Sequence, residues 1–123
     1  MKGMILAAIA LIAALSMPLS AQERSISSGS GAVLRGLDKM AGEAHDIELQ
    51  VGESENFGHL TITLRECRYP SDEPDAEAYA ALTIRDARQP DPVFEGWMIA
   101  SSPALSALDH ARYDIWVLRC RSS

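Results

Sequence analysis

The stretch Ala100–Asp114, ASSPALSALDHARYD, contains the three side-chain types of a hydrolytic triad within fifteen residues. Ser101 and Ser102 are candidate nucleophiles, and His110 is a candidate general base that an acid such as Asp114 would orient. Catalysis also requires the serine to lie within hydrogen-bond reach of the histidine, beside a site for the oxyanion. Neither serine belongs to a G-x-S-x-G or S-x-x-K motif. We therefore keep a small serine hydrolase as an alternative function and assign no catalytic residue.

The same stretch has a structural interpretation, which the sequence favours. A serine before a proline, as in Ser102–Pro103, is typical of a helix start because its hydroxyl caps free N–H groups and proline needs no N–H partner. Leu105 and Leu108 lie three residues apart and would share one face of such a helix. The stretch is therefore predicted to be a short capped helix that connects two strands.

Aromatic and polar residues in and beside this stretch are the candidates for a binding surface. Trp97 and Trp116 could line a ligand groove, as tryptophans do in glycan-binding modules. Because both lie among aliphatic residues in predicted strands, we favour packing in the core for them. The candidate binding surface comprises Trp97, Ser101, Ser102, His110, Tyr113 and Trp116.

Neither the histidines nor the acidic residues have the spacing of a metal site. His45 and His59 are 14 residues apart, and His110 follows 51 residues later, which is not a local ligand motif. The acidic segment Tyr69–Ala78 lacks the ligand spacing and turn glycine of a calcium loop. We predict no metal and no cofactor, and we interpret the acidic segment as a solvated loop. A secreted inhibitor that presents this loop to a protease is a further alternative.

The first residues have the pattern of a secretory signal peptide. Lys2 is followed by the uncharged apolar run Met4–Leu15 and by small residues that end near Ala21. The run is shorter than the roughly 20 residues of a membrane-spanning helix, so stable membrane insertion is not expected. Cleavage near Ala21 would leave a flexible Ser/Gly-rich lead at 22–31 and a single domain at 32–123 in the periplasm or outside the cell.

The charge balance argues against nucleic acid as a partner. The chain has 11 basic and 17 acidic residues and a formal net charge of −6. The basic residues are scattered along the sequence and do not form the stripe typical of proteins that bind polyanions. The acidic excess therefore indicates solubility.

The two cysteines predict one disulfide bond. An oxidising compartment favours pairing of Cys67 with Cys120, and no Cys-x-x-Cys motif indicates a redox role. Cys67 is an even number of residues from Thr61 and Arg65, so a regular strand would direct it to the same outer face as these two residues. To reach Cys120 in the core, the strand needs a β-bulge near Glu66, which we predict; without a bulge the disulfide would lie at a strand end or on the outer face.

Alternation of apolar and polar residues predicts strands along most of the domain. The segments Val93–Ile99 and Tyr113–Leu118 are apolar on both faces, which predicts that they are central or packed under a loop. The alternating segments are Ile47–Val51, Leu60–Leu64 and Leu82–Ile84, with a weaker strand at Val33–Met40. The predicted fold class is all-β, a small antiparallel sandwich or barrel of about six to eight strands with one short helix.

One long motif gives the chain a resemblance. The pattern G-W-M-x-A-S-S-P-x-L-S-A-L from Gly96, followed by Y-D-x-W from Tyr113 and by Cys120, resembles a family of small secreted alphaproteobacterial proteins defined only as a domain of unknown function. The similarity continues in LRGLDKMAG (Leu34–Gly42), VGES (Val51–Ser54), FGHLTITLREC (Phe57–Cys67) and AYAALTI (Ala78–Ile84). The resemblance implies periplasmic export, a single domain and the Cys67–Cys120 bond, and it implies no activity.

These observations favour an exported periplasmic protein that is a non-enzymatic binding or structural module of the cell envelope. Its expected partner is an envelope protein or a cell-wall component. The serine hydrolase and the secreted inhibitor are the alternatives.

Overall fold

The computed structural model describes residues 25–122, which form eight β-strands and no helix. All strand pairs are antiparallel. The predicted signal peptide at 1–21 lies outside the described residues. The strands are β1 Ile26–Ser28, β2 Gly31–Asp38, β3 Glu43–Gln50, β4 Ser54–Phe57, β5 Leu60–Pro70, β6 Tyr79–Asp86, β7 Phe94–Ile99 and β8 Tyr113–Arg121.

The strands form two sheets that enclose one core, which confirms the predicted all-β fold. In the five-stranded sheet, β1 and β4 pair with one edge of β5, and β6 and β7 follow on its other side. The three-stranded sheet has the order β3, β2, β8. Inward-facing side chains of both sheets fill the core, and each fully buried aliphatic side chain contributes about 1.5–3 kcal/mol. They include Leu34, Leu49, Ile62, Leu64, Leu82, Ile84 and Val117.

A bulge in β5 and one disulfide bond join the two sheets. The register of β5 against β6 shifts between Leu64 and Glu66, as predicted, so that Cys67 turns to the inner face and is buried. It forms a disulfide bond with Cys120 of β8, with 5.7 Å between the Cα atoms. The predicted disulfide is therefore confirmed, and it links the five-stranded sheet to the three-stranded one.

The predicted connecting helix is absent. Ser102 and Leu105 instead form a single turn, in which the Leu105 amide donates to the Ser102 carbonyl at 3.1 Å. Leu105 is 76% exposed whereas Leu108 is buried in the core, so the two leucines do not share a face. One turn of helix has an unfavourable nucleation free energy, and burial of Leu108 favours the irregular path.

Two further expectations differ from the structure. The lead at 22–31, expected to be flexible, includes β1, whose backbone pairs with the end of β5. The apolar strands β7 and β8 are edge strands, not central ones. One face of each strand meets the core, through Met98 in β7 and Ile115 in β8. The apolar residues on the opposite face, such as Trp97 in β7, lie at or near the surface.

Candidate functional site

The segment 100–112, called here the connecting loop, runs from one end of the sandwich to the other. It leaves β7 beside the start of β6, where the Ala100 amide donates to the Ala78 carbonyl at 2.9 Å. It joins β8 at Tyr113, which pairs with Asp38 at the end of β2. The two ends of the loop therefore have separate surroundings.

At its first end the connecting loop is attached to Glu77. The Ser101 hydroxyl donates a hydrogen bond to the Glu77 carboxylate, and the Ser101 amide donates a second one at 3.0 Å. Burial raises the pKa of Glu77, but the bonds from Ser101 and Ala78 outweigh burial and lower the pKa below its ordinary value. The Ser102 hydroxyl lies 3.5 Å from that of Ser101. Ser101 thus ties the loop to the start of β6.

At its other end the connecting loop carries a buried histidine. Nε2 of His110 lies 2.8 Å from Oδ2 of Asp86, and Nδ1 accepts hydrogen bonds from the amides of Arg112 and Tyr113. Because an acceptor nitrogen carries no hydrogen, Nε2 is the donor to the carboxylate. The bonds from His110 and the Arg88 amide hold the pKa of Asp86 far below its ordinary range.

The Ser–His–Asp arrangement suggested by the sequence does not form. Ser101 is bonded near the start of β6 and His110 at its last residue, Asp86. Glu77 and Asp86 are nine residues apart along this extended chain, which corresponds to roughly 30 Å. Both ring nitrogens of His110 are also occupied by partners other than a serine, so this stretch provides no activated nucleophile.

A second anchor at the same end consists of Asp38, Lys39 and Arg112, whose spacing in the sequence gives no sign of their contact. The Arg112 guanidinium forms a two-pronged ion pair with the Asp38 carboxylate, at 3.0 to 3.3 Å. This contact and the Ala41 amide lower the pKa of Asp38. The ammonium of Lys39 donates to the His110 carbonyl at 2.8 Å. These contacts fix the end of the loop against the turn that follows β2.

One sequence signal could have identified the buried acid. Asp86 lies two residues after Ile84 and four after Leu82 in β6, so its side chain points inward as theirs do. Among the described residues it is the one buried residue that is polar. A carboxylate at an inward position requires hydrogen-bond partners, because burying an unpaired charge costs several kcal/mol or more. His110 is one of those partners, although only the fold brings the two together.

The face of the five-stranded sheet that points away from the core carries an apolar surface patch. Trp97 is 39% exposed and Ile26 is 52% exposed, which corrects the expectation that Trp97 packs in the core. The guanidinium of Arg68 lies 5.4 Å from the Trp97 ring centroid, within the range of a cation–π contact. The side chains around this shallow depression, called here the Trp97 patch, are Ile26, Arg68, Tyr79, Trp97 and Ile99.

The residues grouped as a candidate binding surface lie in different parts of the molecule. Trp97 is on the five-stranded sheet, whereas Trp116 pairs with Arg35 on the three-stranded sheet and is half-buried. Tyr113 is buried, and its phenolic oxygen accepts a bond from the His59 amide at 3.2 Å. Ser101 and Ser102 lie at one end of the sandwich and His110 at the other, so the structure does not bring the six together.

No metal-binding cluster is found in the part of the chain that the structure describes. No three His, Cys, Asp or Glu side chains of residues 25–122 are placed to hold one ion. His45 lies 3.7 Å from Glu43 on an exposed strand, and His110 is bonded to Asp86. No helix in this part of the chain is long and apolar enough to cross a membrane.

Comparison with known proteins assigns the family. The family model of an uncharacterized protein conserved in bacteria (DUF2155) matches residues 32–120, from the buried start of β2 to the disulfide cysteine of β8. The chain belongs to this family. The match begins and ends in the three-stranded sheet and includes both cysteines, so it covers strands of both sheets and leaves out β1.

The chain is also similar to a protein of an alphaproteobacterium. An uncharacterized protein of Rickettsia prowazekii (strain Madrid E) is 32% identical over 87 residues, which is 68% of this chain and 56% of the relative. The chain therefore spans about half the length of the curated relative that it matches. No solved structure matches the chain.

Proposed function

We propose that this DUF2155 chain is an exported, non-enzymatic binding module of the bacterial cell envelope, and that the Trp97 patch is its contact surface. The observation that carries the proposal is the exposed Trp97 on the outer face of β7, beside Tyr79 and Ile99. The outer face of an antiparallel sheet is ordinarily polar. An exposed tryptophan on this face does not contribute to the core, and its position is consistent with a contact surface.

The composition of the patch supports a role in binding. Tryptophan, tyrosine and arginine are the residue types that contribute most to the binding energy of protein interfaces. In this patch Arg68 stacks on Trp97 while also donating to Glu66 at 3.0 Å. These contacts hold a large aromatic side chain in place at the surface, which lowers the entropy lost when a partner binds.

Two observations support export. The Cys67–Cys120 disulfide is the kind of bond that persists in oxidising compartments such as the periplasm and that cytosolic reductants remove. The charged and apolar pattern of residues 2–21 is that of a secretory signal peptide. Export to the periplasm places the patch among envelope proteins and the cell wall, which are the proposed partners.

The export part of the proposal is tested by fractionation. The full chain with a carboxyl-terminal tag is produced in a Gram-negative host, and its compartment, amino terminus and thiol state are measured. We expect a periplasmic protein that begins near Gln22 and reacts with a maleimide only after reduction. A full-length cytoplasmic protein with free Cys67 and Cys120 thiols would contradict export.

The binding part is tested by photo-crosslinking in the producing bacterium. A photoreactive phenylalanine analogue is introduced at position 97 and, as a matched control, at position 116 on the opposite sheet. We expect defined covalent adducts from position 97 and none from position 116. Equal adducts from both would contradict a specific surface, and labelling of Ser101 or Ser102 by a fluorophosphonate would contradict the non-enzymatic assignment.

A further inference from the structure

Among residues 25–122, β7 is an edge strand: β6 pairs with one side of it, and no strand in this range pairs with the other side, called here the free edge. The Ala100 amide bonds to the Ala78 carbonyl, and the register of β7 against β6 continues from that pair. Hydrogen-bonded positions alternate along an antiparallel pair, so every second residue of β7 directs its N–H and C=O groups away from β6. Those residues are Glu95, Trp97 and Ile99.

Most of the N–H and C=O groups of β7 that point away from β6 form no hydrogen bond within residues 25–122. The amides of Glu95 and Trp97 have no hydrogen-bond partner there, and both residues are exposed. The Ile99 carbonyl accepts one bond, from the Ser102 amide at 3.1 Å. An edge strand with free donors and acceptors is a template for another strand.

The free edge and the Trp97 patch are parts of one surface. The residues of β7 whose backbone groups face outward also direct their side chains to the outer face, where Trp97 and Ile99 line the patch. A strand added to this edge would therefore place its own side chains beside these two residues. The side chains of an added strand would therefore contact the Trp97 patch.

We propose that an extended peptide segment of a partner protein pairs antiparallel with the free edge of β7, as a further strand of the five-stranded sheet. In this mode of recognition the main-chain bonds supply affinity and alternate side chains supply specificity. This inference rests on the proposed function, because it names the partner of the same Trp97 patch.

The side chains of β7 define the chemistry of the peptide. Residues directly opposite each other on one face of an antiparallel pair interact, so apolar residues are favoured opposite Ile99 and Trp97. A basic residue is favoured opposite the Glu95 carboxylate. In chain order the peptide would read apolar, any, apolar, any, Lys or Arg, and its charge suits a protein of net charge −6.

A second copy of this chain fits the surface less well. The patch comprises five side chains, of which Trp97 is only 39% exposed, whereas a stable interface between two globular partners covers about 800 Å² on each partner. Pairing of two β7 strands about Trp97 would also place Glu95 opposite the partner's Ile99, a charge opposite an apolar side chain.

The test is selection of peptides on the oxidised protein. A random heptapeptide library displayed on phage is selected on the immobilised chain, and enriched peptides are synthesised and titrated. We expect enrichment of the apolar, any, apolar, any, basic pattern. We also expect Trp97→Ala to weaken binding at least about tenfold, while the control Trp116→Ala leaves it unchanged.

A proline at the edge tests the main-chain bonds. Glu95→Pro removes an N–H group that points away from β6, a position where an edge strand accepts proline. Glu95→Ala is its matched control because both variants lack the carboxylate and only one lacks the N–H group. We expect the proline variant to bind about three- to tenfold more weakly than the alanine variant.

If Glu95→Pro does not fold, N-methylation of the peptide replaces it as the measurement. Methyl groups on the amides of one parity would abolish binding, and those on the other parity would not. Absence of enriched peptides, equal binding of both proline and alanine variants, or equal effects of both methylation parities would overturn the inference.

Three outcomes distinguish failure of this inference from failure of the proposed function. A dimer in sedimentation experiments that Glu95→Pro dissociates would overturn the inference in favour of a second copy. Crosslinks from position 97 in cells, combined with no enriched peptide, would overturn the inference alone. Loss of both the crosslinks and the peptides would overturn the proposed function as well.

Discussion

His110 and Asp86 form a buried hydrogen-bonded pair, with 2.8 Å between Nε2 and Oδ2 and side chains only 7% and 1% exposed. The pair joins the end of β6 to the residue that precedes β8 by three positions. The other ring nitrogen accepts bonds from two backbone amides. The imidazole therefore satisfies three buried polar groups and fixes the path of the connecting loop.

Replacing His110 is expected to destabilise the fold. In His110→Ala the amides of Arg112 and Tyr113 lose their acceptor, and each unsatisfied buried group costs about 1–3 kcal/mol. We expect the free energy of unfolding in urea to fall by at least that amount. His45→Ala is the control, since that histidine is exposed, and it should change stability by less than about 0.5 kcal/mol. Equal effects of the two variants would contradict the role of His110.

The Asp86 carboxylate is expected to make stability depend on pH in acid. Its pKa is lowered from the ordinary 3.8 by the bonds from His110 and Arg88, so the folded state binds fewer protons than the unfolded state between the two values. Its stabilising contribution is therefore complete above about pH 4 and is lost as the pH falls below that value. Asp86→Asn should flatten the acid limb in urea unfolding curves between pH 2 and pH 5. Asp72→Asn, in the exposed acidic loop, should leave it steep.

Leu108 is expected to anchor the connecting loop. It is 5% exposed within the core cluster, whereas Leu105 in the same loop is 76% exposed. Leu108→Ala should reduce the free energy of unfolding by about 2–5 kcal/mol. Leu105→Ala should have an effect within about 0.5 kcal/mol of zero. Chemical denaturation of both variants measures this difference, and similar losses would favour the helix that the sequence suggested.

The disulfide bond is expected to contribute strongly to stability. It closes a loop of 53 residues, which corresponds to about 4 kcal/mol in the chain-entropy treatment of the unfolded state. Reduction, or the Cys67→Ala/Cys120→Ala double variant, should lower the melting temperature by about 15–30 °C. Calorimetry with and without reductant checks this, and an unchanged melting temperature would contradict a stabilising bond.

Gly58 is expected to tolerate no side chain. Its φ is +59°, and a Cβ atom would overlap the phenol ring of Tyr113. Gly52 has φ +89° with open space around it, so Gly52→Ala reports the backbone strain alone, about 1–2 kcal/mol. Gly58→Ala should cost at least 1–3 kcal/mol more because of overpacking. Thermal unfolding of both variants measures the two terms, and equal losses would contradict the overlap with Tyr113.

The sequence was sufficient to predict the features that depend on local pattern. Alternation of apolar and polar residues predicted the strands of β3, β5 and β6, because side chains of a strand alternate between two faces. The parity of Cys67 with Thr61 and Arg65 predicted the bulge, since a cysteine that pairs inside must change face. Both predictions required no knowledge of which strands are neighbours.

The sequence was not sufficient where strand order decides the outcome. The apolar run around Trp97 suggested a central strand, but β7 lies at the edge of its sheet and directs the tryptophan outward. The sequence pattern shows that both faces of a strand are apolar. It does not show whether a given face packs against the core or forms an exposed patch. The lead at 22–31 likewise has no pattern of its own, and its β1 forms because β5 extends far enough to pair with it.

In the connecting loop, too, some features follow from the sequence and others depend on the tertiary structure. The sequence by itself determined that serines, a histidine and acids lie close together along the chain, and that two cysteines pair. Only the tertiary structure placed Ser101 on Glu77 and His110 on Asp86, at opposite ends of β6. The physical reason is that hydrogen bonds between distant residues depend on which strands the core brings together, and that arrangement is not encoded in local spacing.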